Sequence, residues 1–523
     1  MLGYHPSNSC LIKLVPAQHF YSQLLEAVDF SFIRPLFIPF YSAIGRPSID
    51  PLVFVKLLLV KHFENITSDR KLLELASLHL GIRAFLGYGL EQSLPCHSSL
   101  CRTRQRIQVS VFEACFTQIV GLCIQKGLVS GHTQVIDSAY IKANASMSQL
   151  KPKPSIWSSQ ITPTLGKRTA PRLTASIDRL QHIHRFQATI KKAAPNKPGQ
   201  LLSNLTHYSP TDPDARIAFK VGKSRQLAYM TSVSVDPAQH VITHIQAGSA
   251  DRRDSRNLLS MVDSTQGRLK RFGVVMSTVV ADAGYSSGEN YELLESRGLD
   301  GFIPPHGKYK EERSGFQYDT SSDTYRCSQG KFLSFERLVV DKQDNAKKRY
   351  AAKVSDCKNC PIGDQCKGKK ASAKRLHHSY YKPHYERMVK RLSSRFGKRM
   401  MRIRSATVEP VLGSLINYYG LRQINTRRRE SAAKVMYMAA IAYNLKKYLR
   451  FKPVDQGGMV IALPVPDQLS LILIYFCNSH HRYDTRTKRN QHDSPNLGWP
   501  ANECLRTYSG ILGNRHAQTL ANS

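Results

Sequence analysis

Two aspartates, each in a predicted β-strand, have surroundings that favour divalent-metal chemistry. Asp137 lies in the predicted strand "TQVIDSAYIKA" (133–143), and Asp282 comes at the end of "GVVMSTVVADAG" (273–284). Carboxylates that lie side by side repel each other and shift each other's pKa, and a divalent cation removes that cost. Because hard oxygen ligands suit Mg²⁺ or Mn²⁺, we expect Asp137 and Asp282 to provide the first ligands of such a site.

A third carboxylate is expected from "RIRSATVEPVLGSLINYYGLRQI" (402–424). Glu409 lies beside an apolar stripe at helical spacing, and Pro410 predicts that it stands in the first turn of the helix. The stripe consists of Val408, Leu412, Leu415, Ile416 and Tyr419. Each acid also has a structural interpretation: a turn cap for Asp282, a satisfied core residue for Asp137 and a helix-dipole partner for Glu409. Their combination favours the metal site.

The elements around these acids predict a mixed sheet with helices on its faces. The predicted order is strands 133–143, 226–236 and 240–250, helix 254–269, strand 273–284, helix 286–298 and strand 300–305. This β, β, β, α, β, α, β order is that of a ribonuclease H-like α/β fold. In it the strands of Asp137 and Asp282 are neighbours at the sheet centre, and their carboxyl ends bring the two acids into one crevice.

The N-terminal region predicts a helical domain that is suited to contact with DNA. Helices are expected over 50–64, 68–87 and 96–107, the first with Asp50 as N-cap and Pro51 at the first helical position. Three arginines near the start of the third helix are candidate DNA contacts: Arg102, Arg104 and Arg106. The alternative is a plain helical domain whose arginines are simply solvated.

The charge balance favours an anionic partner. The 523 residues include 75 Lys and Arg against 38 Asp and Glu, which leaves a net charge of +37. Nucleic acid is the first candidate for the counter-charge, and an anionic membrane surface is the second. No apolar window reaches the roughly 20 residues needed to span a bilayer, and no signal-peptide pattern opens the chain. Eleven cysteines form no dense disulfide framework. We therefore expect a cytoplasmic protein with no membrane partner.

A cysteine-containing insert separates Asp282 from Glu409. Its local C-x2-C-x5-C pattern and one distant cysteine supply four thiolates, the number that a structural Zn²⁺ site uses. These are Cys327, Cys357, Cys360 and Cys366. The usual second C-x2-C pair is missing, so free or partly buried thiols are the alternative. The basic segment 369–404 follows, with interleaved tyrosines and histidines that are typical of a nucleic-acid surface.

These patterns predict five regions. They are a helical domain (1–125), a first part of the core (130–305) that contains a basic linker (142–205), an inserted Cys-containing basic subdomain (306–395), a completion of the core (396–450) and a tail of unassigned role (451–523).

Several motifs resemble the DDE-class transposases of bacterial insertion sequences, in particular the group with a Cys-containing insert before the last acid. The acidic motifs are "VIDSAYIKANAS", "VVADAGYSSGENYELLESRG" and "TVEPVLGSLINYYGLRQINTRR". Outside them, "GRPSIDPLVFVKLLLV", "CHSSLCRTRQRI" and "HYSPTDPDARIAFKVGKSRQLAY" carry the same resemblance. It extends from about residue 30 to residue 450.

The resemblance implies a DNA transposase with a ribonuclease H-like core. Asp137, Asp282 and Glu409 would be its catalytic triad and would hold two Mg²⁺ or Mn²⁺ ions. The reaction would be hydrolysis at the ends of the element, then attack of the freed 3′-hydroxyl on target DNA. Two ions about 4 Å apart suit such in-line displacements. The family also implies a homodimer that pairs two ends, in a bacterial, nucleoid-associated setting.

One departure concerns the contacts to DNA. Many relatives carry a Tyr-Arg-Glu-Lys pattern around the last acid, but here the lysine position is Ile416. The nearest upstream arginine is Arg404, which we also count as a candidate DNA contact. Candidate substitutes for the phosphate contact are Arg422, Arg427, Arg428 and Arg429, which could also form a solvated basic face. Two alternative functions stay open: a nuclease that cuts without joining, and a catalytically dead DNA-binding derivative, against which the three intact acids argue.

Overall fold

The computed structural model describes residues 9–41, 48–153, 202–219, 222, 224–307, 309, 313–340, 346–368 and 370–452. Most of the predicted linker 142–205 and nearly all of the predicted tail 451–523 lie outside these residues. Over the described part, the chain is a mixed α/β protein with a helical N-terminal region.

Short helices make up the N-terminal region. They are α1 (Ser9–Lys13), α2 (Phe20–Ala27), α3 (Ile33–Phe37), α4 (Pro51–Phe63), α5 (Asp69–Leu78), α6 (Leu80–Leu86), α7 (His97–Arg106) and α8 (Val109–Gln125). The predicted start of α4 is confirmed, because Asp50 Oδ1 accepts hydrogen bonds from the N–H groups of Leu52 at 2.7 Å and Val53 at 3.3 Å. The predicted second helix is divided at His79 into α5 and α6.

A six-stranded mixed sheet follows. The strands of this region are β1 (Thr133–Lys142), β2 (Lys151–Pro152), β3 (His207–Tyr208), β4 (Arg216–Ala218), β5 (Gln226–Asp236), β6 (Val241–Ser249), β7 (Thr278–Ala281) and β8 (Asp300–Phe302). β2 and β3 pair with each other, while the sheet runs β4-β5-β1-β7-β8 with β6 also on β5. β5 is antiparallel to β1, and β1, β7 and β8 are parallel neighbours. The seven predicted elements are all present, with β2, β3 and β4 added between the first two predicted strands.

Four helices complete this part of the fold: α9 (Leu258–Lys270), α10 (Gly288–Ser296), α14 (Arg395–Tyr418) and α15 (Arg429–Arg450). α14 lies against β1, β5 and β7, whereas α15 lies against β6, α8 and α4. The Phe116 and Tyr437 rings, 5.7 Å apart, join α8 to α15. α15 therefore fixes the N-terminal helices to the sheet.

The start of α14 differs from the prediction. The helix begins at Arg395, so Pro410 lies inside it and the expectation that Glu409 stands in the first turn was wrong. An interior proline removes one backbone hydrogen bond and crowds the preceding turn. The helix continues because Val408, Val411 and Leu412, on either side of the proline, are buried.

The insert forms its own antiparallel sheet. Its strands are β9 (Phe316–Asp319), β10 (Thr324–Cys327), β11 (Phe332–Val340), β12 (Ala346–Ala352) and β13 (Arg375–Ser379), and its short helices are α11 (Val354–Lys358) and α12 (Gly363–Lys367). The strand order is β13-β12-β11-β10-β9 around a small core of Tyr325, Leu333, Tyr350 and Leu376. Helix α13 (Lys382–Ser393), predicted as part of the insert, packs instead on α10, β8 and α14.

The helices of the described ranges were also compared with the length and apolarity that a membrane span needs. No single helix meets both requirements, and only α7 and α8 taken together, which meet at 91°, reach them.

We predict that Asn444→Ala destabilises the fold. Its amide clamps β6, because Oδ1 accepts from the Ile242 N–H at 2.9 Å and Nδ2 donates to the Ile242 carbonyl at 2.8 Å. Two buried backbone groups then lose their partners, which should lower the free energy of unfolding by roughly 2–4 kcal/mol. Guanidinium unfolding of the variant measures this. Replacement of the exposed Gln105 by alanine is the control, and equal stability of the two variants would contradict the prediction.

Candidate active site

Two adjacent parallel strands bring Asp137 and Asp282 together. β1 and β7 are paired in a register that sets Ile136 opposite Ala281, so the next residues in the two strands are the aspartates. All four residues of β7 are buried, so both faces of this strand are covered by other elements. A shift in register would disturb this packing, which favours the observed pairing. Asp282 also caps the 3₁₀ turn Ala283–Tyr285, where its Oδ1 accepts from the Gly284 N–H at 3.0 Å. The structural role expected as an alternative is therefore real, and it fixes this carboxylate beside Asp137.

Arg404 joins the third acid to the first. Its Nη1 lies 3.2 Å from Asp137 Oδ2, and its Nη2 lies 3.0 Å from Glu409 Oε1. Arg404 and Glu409 are both on α14, whose buried face packs on β1 and so delivers them to the end of that strand. Glu409 is thus linked to Asp137 through the Arg404 guanidinium, and Asp282 stands beside Asp137 on the neighbouring strand.

The environment of Asp137 disfavours its charged form. Burial, and after it the negative charge of Asp282, are the main causes that raise the pKa of the Asp137 carboxyl from 3.8 to about 6. The Ser138 N–H and the Arg404 guanidinium act in the opposite direction. A carboxyl that resists ionisation in this way favours any cation that can neutralise it.

A fourth acid, Asp254, lies at the same place and was missed by the sequence reasoning. It begins the 3₁₀ helix Asp254–Asn257 that follows β6 and leads into α9. Asp254 Oδ2 and Asp282 Oδ1 both lie close to Gly284: each is 3.0 Å from the point where a Cβ of residue 284 would stand. The two carboxylate oxygens are therefore separated by no more than twice 3.0 Å. The charge of Asp254 also raises the pKa of Asp137. The signal that could have revealed Asp254 is its position at the first residue of the predicted helix 254–269, shortly after the predicted strand 240–250.

The acids are not arranged as a finished metal cage. Among the residues that the structure describes, no group of three or more His, Cys, Asp or Glu side chains is positioned to hold a metal ion. Arg404 supplies the positive charge between Asp137 and Glu409 in this arrangement.

Arg404 and Arg104, two of the predicted DNA contacts, are both paired with carboxylates in this structure. Arg404 is engaged by the acids, with only 16% of its side chain exposed. Arg104 is buried and pairs with Asp69 at 2.9 Å, and Lys61 contacts the same carboxylate at 2.5 Å. The ion pair joins Arg104 of α7 to Asp69 of α5, so Arg104 contributes to the packing of these two helices. Arg102 and Arg106, on the same helix, are exposed.

The arginines that follow α14 are exposed at the surface. They are Arg422, Arg427, Arg428 and Arg429. The backbone N–H groups of Arg428 and Arg429 donate to Asp212 and Asp214, each at 3.0 Å. The acidic loop thereby caps the start of α15, as negative groups do at helix N-termini. This contact explains the "TDPDAR" part of the sequence motif and fixes the backbone from which the arginines project.

The four cysteines of the insert lie around one small cavity of about 30 Å³. They are Cys327, Cys357, Cys360 and Cys366, and all four are free and partly buried. Phe316, Leu333 and Ile362 supply apolar walls to the same cavity.

Two transposase domains match this sequence. The transposase domain DUF772 matches residues 9–106, and a transposase DDE domain matches residues 326–449. The second match contains Glu409, Arg404 and the cysteine cavity, while Asp137 and Asp282 lie before it. No curated protein matches the chain significantly.

Two solved transposase structures align with the chain at low similarity. A piggyBac transposase in a synaptic complex with hairpin DNA covers 99% of this chain and 87% of its own, at 8% identity and a TM-score of 0.31. The Mos1 transposase in a paired-end complex with the left transposon end covers 58% and 78%, at 12% identity and a TM-score of 0.16. Scores this low carry no argument about this chain. The two domain matches do, and they support the function of a DNA transposase.

We predict that Asp137→Asn raises the thermal stability of the metal-free protein. Between pH 3.8 and about 6, the folded state holds a proton on Asp137 that the unfolded state has lost. The protonated carboxyl therefore favours the folded state at low pH, and this stabilisation is lost as the pH rises through about 6. A neutral isostere removes the cost of the buried charge, so the Tm in EDTA at pH 7.5 should rise by roughly 2–5 °C. The gain should shrink at pH 5.

Asp263→Asn, which changes a half-exposed acid in an ion pair with Arg297, is the control for this measurement. A lower Tm for Asp137→Asn at pH 7.5, or a gain that is equal at both pH values, would contradict the account of the site.

Proposed function

We propose that this transposase cuts and joins DNA at a ribonuclease H-like site formed by Asp137, Asp282 and Glu409. The observation that carries the proposal is the Arg404 bridge, which ties an acid of α14 to an acid of β1 beside which Asp282 stands in register. The strand order β6-β5-β1-β7-β8, with two antiparallel pairings followed by two parallel ones, supports the ribonuclease H-like assignment. Asp254 is a further carboxylate within reach of the same site.

The donor set suits Mg²⁺ or Mn²⁺. Several carboxylates face a single guanidinium, which leaves an excess of negative charge, and carboxylate oxygens are the ligands that these ions prefer. Two bound ions would activate the attacking oxygen and stabilise the leaving oxygen. Asp137, Asp282 and Glu409 would hold them, and Arg404, no longer needed by the carboxylates, would pair with a DNA phosphate.

The proposed reaction has two phosphoryl-transfer steps. In the first, a water oxygen attacks a phosphorus atom at the end of the element, the P–O3′ bond breaks, and the 3′ oxygen leaves with a proton as a free hydroxyl. In the second, that hydroxyl loses its proton and attacks a phosphorus atom of target DNA, whose own P–O3′ bond breaks. The second step makes one phosphodiester bond for each one lost, so it needs no external energy source.

Exposed arginines provide the proposed DNA contacts. Arg102 and Arg106 lie on α7, and a second group consists of Arg422, Arg427, Arg428 and Arg429. Contacts of this kind position the phosphate backbone without reading sequence. We extend the proposal to a homodimer that holds two ends of an insertion sequence together in a bacterial cell.

We also propose one structural Zn²⁺ on the four cysteines. Helices α11 and α12 have five residues each, far below the length at which a helix is stable alone, and the only buried residue in them is Gly363, which has no side chain to pack. This segment therefore has little core of its own. Four thiolates around one small cavity are a suitable donor set, although each sulfur must turn inward to ligate an ion.

We predict that Asp282→Asn abolishes strand cleavage in Mg²⁺ or Mn²⁺ but leaves DNA binding at low salt intact. The amide keeps the shape of the turn cap but cannot neutralise an ion, and loss of a catalytic ligand should cost at least about 10³-fold in rate. The assay follows nicked and joined products on DNA that carries the element's ends. Asp263→Asn serves as the matched control.

Unchanged cleavage by Asp282→Asn would refute the assignment of the acids. Cleavage by the wild type that never yields joined product would identify a nuclease in place of the strand transferase.

We predict one zinc ion per chain in protein purified under reducing conditions. Cys360→Ser should lose the ion and lower the Tm, because metal binding contributes directly to the folding of so small a region. Elemental analysis and thermal unfolding measure the two effects. Cys96→Ser, which changes an exposed cysteine outside the insert, should keep the zinc content of the wild type. A zinc-free wild type would identify the four side chains as free thiols.

A further inference from the structure

A separate cavity of about 860 Å³ lies between the C-terminal ends of α14 and α15 and the β5–β6 turn. Its lining combines aromatic and basic side chains, among them Tyr418, Tyr419, Tyr443, Lys447, Arg450 and Lys452. This volume lies within the range that small-molecule and nucleotide sites occupy.

Tyr418 presents an aromatic surface at the mouth of the cavity. It is 67% exposed, although it stands on a helix whose other face is buried in the core. Tyr419 and Tyr443 line the same cavity and are buried, with their ring centroids 5.6 Å apart in an edge-to-face pair. The exposed ring of Tyr418 is a surface on which a planar group can stack.

The charges around these rings are all positive. Burial lowers the pKa of Lys447, and the neighbouring Arg450 lowers it further. No acidic side chain is among the described residues that line the cavity. The charge of Glu64 acts to raise the pKa of Lys446. Glu64 is also engaged elsewhere, because its Oε1 accepts a hydrogen bond from the Tyr21 hydroxyl at 2.5 Å. Positive side chains that lie close together repel one another, so an anion bound among them is stabilised by their combined charge.

The cavity is distinct from the acidic site. Tyr418 follows Glu409 by nine residues on the same helix, which is about 13 Å along the axis and half a turn around it. Pro410, which follows Glu409 in the chain, also lines the cavity, but Tyr418 lies on the opposite side of α14 from Glu409. We therefore assign the cavity to a different segment of the DNA from the one held at the acids.

We propose that this cavity binds an unpaired nucleotide of a DNA strand, whose base stacks on Tyr418 while Lys447, Arg450 and Lys452 hold its phosphates. Stacking needs a base that is free of its partner, so the proposal is specific to single-stranded segments, such as a flank opened during transposition. It rests on DNA being the substrate, but it does not depend on the metal site or on catalysis.

Binding of fluorescent oligonucleotides of about 16 nucleotides, single-stranded and duplex, to the full chain in EDTA tests this. Tyr418→Ala should weaken single-strand binding roughly tenfold through loss of one stacked base, with little effect on duplex. Tyr418→Phe keeps the ring and should restore it. Phe332→Ala changes an aromatic residue of β11 that is 57% exposed and lies outside the basic segment 369–404, and it should have no such effect.

Each result decides the proposal. Selective loss with Tyr418→Ala and rescue by Tyr418→Phe support it. Unchanged single-strand affinity overturns it, as does an equal loss for duplex, which would indicate a general basic surface. Free mononucleotide that competes as well as the oligonucleotide would show a nucleotide-ligand site and overturn the assignment to a strand. Because no cleavage is measured, failure here leaves the catalytic assignment untouched, and failure of cleavage leaves this site untouched.

Discussion

Repulsion between carboxylates at the ends of β1 and β7 is the constraint around which the structure is organised. Parallel pairing sets Asp137 and Asp282 side by side, and burial makes the charge of Asp137 still more costly, which raises its pKa to about 6. Arg404 offsets part of this cost, and in doing so draws Glu409 to the same place. A buried strand end that would be unfavourable as a purely structural feature becomes intelligible as a place for cations.

The rest of the chain holds this arrangement in position. Glu409 reaches the end of β1 only because α14 packs on that strand. The buried apolar face of α14 keeps the helix in place although Pro410 lies inside it. α15 follows with its start capped by Asp212 and Asp214, and it binds the sheet to the N-terminal helices. The insert, by contrast, has a small separate core and a cysteine cavity. One helix pair thus links the proposed catalytic acids to the helical region on one side and to the second cavity on the other.

Much of the fold was predictable because its signals are local. Alternating or continuous apolar runs gave β1, β5, β6 and β7, and Asp50 with Pro51 marked the start of α4. The pairing of the strands that bring Asp137 and Asp282 together followed from strand order, and the packing of α14 on β1 followed from the apolar stripe beside Glu409.

The errors have physical causes. Pro410 normally marks a helix start, but tertiary packing overrode that preference. Arg104 looked like a surface charge, because a pairing with Asp69 across 35 residues leaves no local pattern. Asp254 and the cavity beside Tyr418 depend on contacts between distant segments, which spacing in one sequence cannot reveal.

The most direct test of the central claim is a crystal structure of the chain soaked in Mn²⁺, with the ions located by anomalous scattering. The account predicts manganese between Asp137 and Asp282, with Glu409 turned from Arg404 toward an ion. Manganese bound elsewhere while the Arg404 bridge to Asp137 and Glu409 stays intact would contradict it.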